Sequence, residues 1–140
     1  MDDNNSPPYN KNDNSESHES ERHLSISEMA ERFNVTYRAL RFYQQKGLLA
    51  PKRKGTSRLY QPRDVAHMKI IMEAKRTGLA LSDVREVLSA FHKDGAERQN
   101  LIIVKKLENQ EKLLVDQYHQ IGCQLEETRR LLQERKRSES

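Results

Sequence analysis

The side chains best suited to chemistry in this sequence are arginine, glutamine and aromatic residues recurring at helical spacing. Arg38, Arg41 and Gln45 stand in the run TYRALRFYQQKG. On a helix they point one way, while Thr36, Ala39, Leu40 and Tyr43 share the other face. A guanidinium binds a guanine edge bidentately and a glutamine amide binds adenine, so these types suit reading of a DNA major groove. The same groups bind phosphate oxygens as readily, and residue type alone leaves both roles open.

The charge pattern points the same way. Residues 36–63 hold eight bases and no acid, whereas residues 1–22 hold six acids and two bases. The net charge of +4 therefore hides an acidic start and a basic segment. A solubilising surface mixes its signs. A long acid-free window with Tyr and Phe between the bases fits a polyanion, nucleic acid first.

Other chemistries lack their residues. His18, His23, His67 and His92 are scattered, with no nucleophile or paired carboxylates beside them, so no enzyme is expected. Cys123 is the single cysteine and cannot form a disulfide within the chain, which fits a reducing cytoplasm. His119 and Cys123 lie four apart, but two ligands are too few for structural zinc. No metal and no cofactor are expected. Only His119 stands near enough in sequence to activate the thiol.

The elements that must position the basic face follow from local signals. Residues 1–22 are too polar to offset the entropy of ordering and read as a disordered acidic tail. Order is expected from Leu24. Ser27 reads as the N-cap of a short helix carrying Met29, Ala30 and Phe33 inward, which Asn34 stops. Thr36 caps a second helix and Gly47 ends it, giving a helix-turn-helix pattern. Leu48-Leu49-Ala50-Pro51 and Arg58-Leu59-Tyr60 read as extended runs around a basic turn, Lys52 to Ser57. That is a small hairpin, or wing, behind a recognition helix.

Pro62 opens a third helix with Val65, Met68, Ile71 and Met72 inward, and Gly78 ends it. A fourth is expected from Leu81 to Phe91, with Val84, Val87, Leu88 and Phe91 inward and a break at His92–Gly95. Beyond the break, Val104, Leu107, Glu111, Leu114, Tyr118, Ile121, Leu125, Thr128 and Leu132 fall at alternating three- and four-residue spacing. That is a coiled-coil seam on a helix about 40 residues, or roughly 60 Å, long. It needs a partner helix, most simply from a second copy. Glu111 is the acid on this seam and is a candidate for setting register.

The organisation expected is a tail (1–22), a winged helix-turn-helix domain (24–92) and a dimerisation helix (96–136). The fold class is all-α with a small β-hairpin wing. A chain of 140 residues with 34 % apolar content excludes a large single core and a multidomain enzyme. No apolar run is long enough to span a membrane, and with no basic start or apolar stretch in MDDNNSPPYN no secretory signal is expected.

The segment from Ile26 to Leu88 resembles the MerR family of bacterial transcription regulators. The likeness rests on Val35-Thr36, Arg38, Leu40-Arg41-Phe42-Tyr43 and Gly47-Leu48-Leu49, then Arg53 and Arg58-Leu59-Tyr60. Asp64-Val65 and Gly78-Leu79 agree with it. The resemblance implies that Arg38 and Arg41 enter the major groove, that Tyr43 fixes phosphates, and that Arg53, Arg58 and Tyr60 serve the wing. With Thr36, Tyr37, Phe42, Gln45 and Lys54 these make the candidate DNA-binding set.

It further implies an antiparallel homodimer through Val104, Leu107, Leu114, Tyr118, Ile121, Leu125 and Leu132. That dimer would bind a pseudo-palindromic promoter site with an overlong spacer, untwisting it for RNA polymerase. Partners are then double-stranded DNA, a second copy and the polymerase, in the cytoplasm at the nucleoid, with no membrane.

Three departures stand out. Asn34 replaces the usual turn glycine. The wing is one residue shorter than in the family's metal sensors, with Ser57 where they have tyrosine. The family's thiolate metal site and iron–sulfur cluster lack their cysteines, and no drug-binding domain is expected after the long helix. The short wing is similar to that of the branch controlling catabolism of branched-chain amino acids and related acyl compounds. The alternatives are an architectural, excisionase-like DNA binder and a coiled-coil adaptor for an acidic protein. Preference for one duplex sequence over another separates the regulator from both.

Overall fold

A computed structural model describes residues 22–139, so the acidic tail of residues 1–22 falls, but for Arg22, outside the described residues. The element order is β1 (Leu24–Ser25), α1 (Ile26–Phe33), α2 (Tyr37–Gln45), β2 (Lys52–Lys54), β3 (Ser57–Tyr60), α3 (Pro62–Thr77) and α4 (Leu81–Ser138). The chain divides into two compact units, up to Met72 and from Glu73 onward.

In the first unit each short helix is set by its ends. Ser25 caps α1: its Oγ accepts from the Glu28 amide at 3.2 Å, and the Glu28 carboxylate accepts from the Ser25 amide. This capping box places the start before Ser27, the residue that sequence reasoning chose. Ser27 instead hydrogen-bonds the Ser25 hydroxyl. A serine in the first turn mimics a cap, and the reciprocal glutamate decides between the two. Asn34 ends α1 in the left-handed region at φ 51°, and the Val35 amide donates back to Ala30. Asparagine tolerates that conformation better than most residues with a side chain. Thr36 Oγ1 accepts from the Ala39 amide at 3.0 Å, as expected of the cap of α2. Past Lys46, Gly47 donates to Gln44 and Leu48 to Tyr43, closing the helix with paired carbonyls.

The wing is a three-stranded antiparallel sheet in the order β1-β3-β2, not a two-stranded hairpin. Leu24 pairs with Tyr60, and Arg53 with Arg58 across the turn. Leu48-Leu49-Ala50 is not a strand. Leu48 and Leu49 are buried in the core with Leu24, Met29, Leu40, Tyr43, Tyr60, Val65, Met68 and Ile71. The run is apolar because it is a core loop, and the strand begins only with Lys52. The buried carboxylate of Asp64 mounts this loop, accepting from the Ala50 and Gln61 amides at 2.9 Å each. The Gln61 side-chain amide donates to the Ala50 carbonyl, and His67 hydrogen-bonds the Leu48 carbonyl.

In the second unit, α4 is two arms meeting at Gly95, whose φ of 84° and ψ of −173° are not helical. The second arm turns back along the first. Gln99 donates to the Val87 carbonyl, Lys106 pairs with Asp83 at 2.9 Å and Glu86 at 2.5 Å, and Gln110 donates to the Thr77 carbonyl at 2.8 Å. Val84, Val87, Leu88 and Ala90 are buried. Phe91 is not inward as expected but 46 % exposed, because it lies in the last turn before the reversal. Sequence periodicity extended its face one step too far.

Two outcomes follow from the reversal. The Gly95 conformation is one that side chains resist, and a Cβ there would meet no atom within 4 Å, so the cost is in the backbone alone. Gly95→Ala should destabilise the chain by about 1–3 kcal/mol in denaturant unfolding. An unchanged midpoint would contradict the reversal. The Lys106 hydrogen bond holds the Asp83 carboxyl below its ordinary value. Its contribution is complete above the ordinary carboxylate range and is lost as pH falls through the lowered value. Melting temperature should therefore drop less below about pH 4 in Asp83→Asn than in the parent chain.

Candidate nucleic-acid interface

Helix α2 divides cleanly. Leu40 is fully buried and Tyr43 is 7 % exposed, so their face is held in the core. Tyr37, Arg38, Arg41, Phe42 and Gln45 are exposed on the rest of the helix. The division arises because one apolar side chain every three or four residues suffices to seat a short helix. Phe42 is 41 % exposed and is held edge-on against Tyr43 at 5.7 Å, with the Lys46 ammonium 5.5 Å from its ring centre.

The wing supplies a second basic edge. Lys52, Arg53 and Lys54 are exposed along β2, and Arg58 is half-buried on β3. A groove of about 440 Å³ joins the two regions, lined by Ser25, Ile26, Arg41, Arg53, Thr56, Ser57 and Arg58. Three guanidiniums line it, and no acid does. Such a concavity suits an anion with several acceptor oxygens, because arginine forks onto phosphate geometry.

The structure therefore brings Arg38, Arg41 and Gln45 onto one helix and Arg41, Arg53 and Arg58 around one groove. Lys54 lies at the wing's tip beside Gly55, which turns the hairpin at φ 64°. Thr36 is exposed, and its hydroxyl oxygen is engaged as the cap.

Tyr60 departs from its assignment to the wing's contact set. It is fully buried, and its hydroxyl has no hydrogen-bond partner among the described residues. Burial pushes its pKa up, against the pull of the neighbouring Arg58 and Arg41 charges. The reason is its place in the central strand, paired with Leu24, where the ring is part of the core. Tyr43 is likewise a core residue with little surface to offer.

Sequence reasoning missed the roles of Gln61, Asp64 and His67, which hold the loop between α2 and the wing. Their signal was present in Gln61-Pro62-Arg63-Asp64, where an acid three residues after a helix cap position faces back onto it. In the second unit, Val104, Leu107, Leu114, Tyr118, Ile121, Leu125 and Leu132 are all exposed. His119 and Cys123 are exposed on the same arm. Among the described residues no helix is long and apolar enough to cross a membrane.

Comparison with known proteins agrees with this geometry. Residues 24–90 match the MerR HTH family regulatory protein profile. The HTH-type transcriptional regulator CueR of Yersinia pestis is 30 % identical over 71 residues, covering 49 % of this chain and 51 % of CueR. An uncharacterized HTH-type transcriptional regulator, YyaN of Bacillus subtilis, is 40 % identical over 73 residues, 51 % of this chain and 50 % of that one. The mercuric resistance operon regulatory protein of Shigella flexneri is 30 % identical over 95 residues, 66 % of each chain. The chain thus spans about half the length of the first two relatives.

Among solved structures, a MerR family transcriptional regulator from Bacillus cereus superposes with a TM-score of 0.59 at 25 % identity, covering 74 % of this chain and 75 % of that one. HiNmlR, a MerR family regulator lacking the sensor domain and bound to promoter DNA, shares the fold at a TM-score of 0.55 and 19 % identity, over 72 % of this chain and 80 % of that one. Residues 24–90, a winged helix-turn-helix in which Asn34, Thr36 and Gly47 set the turn and helix ends, thus form a helix-turn-helix domain of the MerR type.

Proposed function

We propose that the protein is a sequence-specific DNA-binding transcription regulator that acts as a homodimer. The observation that carries this reading is the single basic surface formed by the exposed face of α2 and the arginine-lined groove beside the wing. Helix α2 enters the major groove, with Arg38, Arg41 and Gln45 toward base edges. Arg53, Arg58 and Lys54 hold phosphates on either side and fix the register of that helix. Tyr43 and Tyr60 act from behind, as the packing that keeps helix and wing in place.

The exposed seam of the long helix supports the homodimer, since contiguous apolar surface of this kind marks an interface. Two copies related by a two-fold axis fit a pseudo-palindromic site. By analogy with HiNmlR, which is bound to promoter DNA, the site lies in a promoter. As the family resemblance implies, the bound dimer bends and untwists that DNA in the cytoplasm for RNA polymerase. The competing reading is an architectural DNA binder, which would use the same basic surface without base contacts.

Duplex titrations decide between them. Arg38→Ala and Arg41→Ala should each cost about 1–3 kcal/mol on the preferred duplex and much less on random duplex. Lys54→Ala should weaken all duplexes alike and reduce the salt slope by about one. If Arg38→Ala weakens both duplexes equally, base reading by that residue is wrong. Leu114→Asp and Leu125→Asp each set an unpaired charge on the seam and should sediment as monomers. Dimers that survive either change would remove the seam from the dimer interface.

A further inference from the structure

The winged domain carries more positive charge than its own acids can neutralise. Residues 22–72 hold eleven bases and three acids. All three acids are placed away from the groove beside the wing. Glu28 pairs with Arg22 and completes the capping box of α1. Asp64 is buried against the Ala50 and Gln61 amides, and Glu31 lines a separate pocket with Arg22 and Arg32. The groove is left with the Arg41, Arg53 and Arg58 guanidiniums and no lining carboxylate. The complementary charge stands immediately before the domain, where residues 1–21 hold six acids and one base.

We propose that the acidic segment ahead of Arg22 docks in this groove of its own chain, setting the carboxylates of Asp13, Glu16 and Glu19 on the guanidiniums, and that DNA must displace it to bind. The docking stands on the groove alone, while its effect on DNA rests on the function proposed above.

The point of attachment favours this occupant. Ser25 and Ile26 line the groove, and Arg22 is three residues before Ser25. The Cα atoms of Arg22 and Ser25 therefore lie within about 11 Å of each other. The sheet order is β1-β3-β2, so the strand carrying Arg58 is beside Ser25 and the strand carrying Arg53 is about 10 Å away. Counting back from Arg22, six residues span up to about 20 Å and nine up to about 30 Å. Glu16 and Asp13 stand at those separations and can reach both walls. Arg22 is itself tied to α1 by Glu28, so the segment starts from a set point. A connection this short holds the acids at an effective concentration in the millimolar range, where contacts too weak for a free peptide suffice.

Carboxylate and phosphate both offer a guanidinium a pair of acceptor oxygens, and one groove cannot hold both at once. Phosphate contacts carry no sequence information. The docked segment therefore weakens binding to preferred and random duplex by the same factor. Docking is itself an exposed ionic contact, so added salt removes the penalty.

The test uses the full chain. Asp13→Asn, Glu16→Gln and Glu19→Gln combined keep the segment's length and remove its docking charge. At about 50 mM salt this variant should bind preferred and random duplex each roughly threefold to tenfold more tightly than the parent, with the gain gone near about 0.5 M. Unchanged affinity at low salt, or a gain on one duplex alone, overturns the inference. A second measurement needs no DNA. A nitroxide on Ser17→Cys, in the chain carrying Cys123→Ser, should broaden the amide signals of Thr56, Ser57 and Arg58, and high salt should restore them. Absence of broadening would mean that the acids repel DNA without docking. Broadening that persists when label and observed nuclei sit on different copies would place a second copy's segment in the groove. Either overturns docking within the chain. Broadening in a parent chain that binds no duplex supports the docking while the DNA-binding function fails.

Discussion

The seating of Leu40 is the interaction on which the first unit depends. Its side chain is fully buried in the middle of α2, a helix of nine residues. A helix so short has little stability of its own and takes its rotation from the residue it buries. With Leu40 and Tyr43 held inward, Arg38, Arg41 and Gln45 have only the outer side left to occupy. The Thr36 cap and the reversal at Gly47 then limit how far that face extends. Asp64 extends the same logic to the wing. Its carboxylate pins the Ala50 amide, so the strand carrying Arg53 leaves the core from a fixed point.

The second unit answers a different constraint. A helix of this length with a continuous apolar stripe needs something against which to bury it. Folding back at Gly95 covers part of it, through Gln99, Lys106 and Gln110. The reversal uses up the reach of the first arm by about Gln110. Beyond that point all residues to Glu139 are exposed, and the stripe runs on. Folding of the single chain therefore leaves the stripe beyond Gln110 uncovered.

What was legible in the sequence was local. The Thr36 cap, the Asn34 and Gly47 stops, the exposed face of α2 and the seam from Val104 to Leu132 each depend on residues within a few positions of one another. What escaped was set at a distance. Leu24 and Ser25 form a two-residue strand only because Tyr60 and Leu59 lie beside them, and so short a strand has no periodicity to detect. Tyr60 stands two residues from Arg58 and looked like part of a basic surface, yet at the far end of β3, beside the buried Leu24, its ring lies in the core. The fold-back was hidden in polar residues. Lys106, Gln99 and Gln110 read as solvent-facing until Gly95 brings acids and carbonyls opposite them. The break itself was visible, but the direction in which the chain continued was not.

The central claim is that two copies of the α2 face read DNA sequence together. The most direct measurement is selection of bound duplexes from genomic fragments, followed by footprinting of the best site with the full chain. The expected result is a shared motif with two inverted half-sites, both protected, lying between the polymerase elements of a promoter. Bound fragments with no common motif, protected without symmetry, would contradict it and leave an architectural DNA binder in its place.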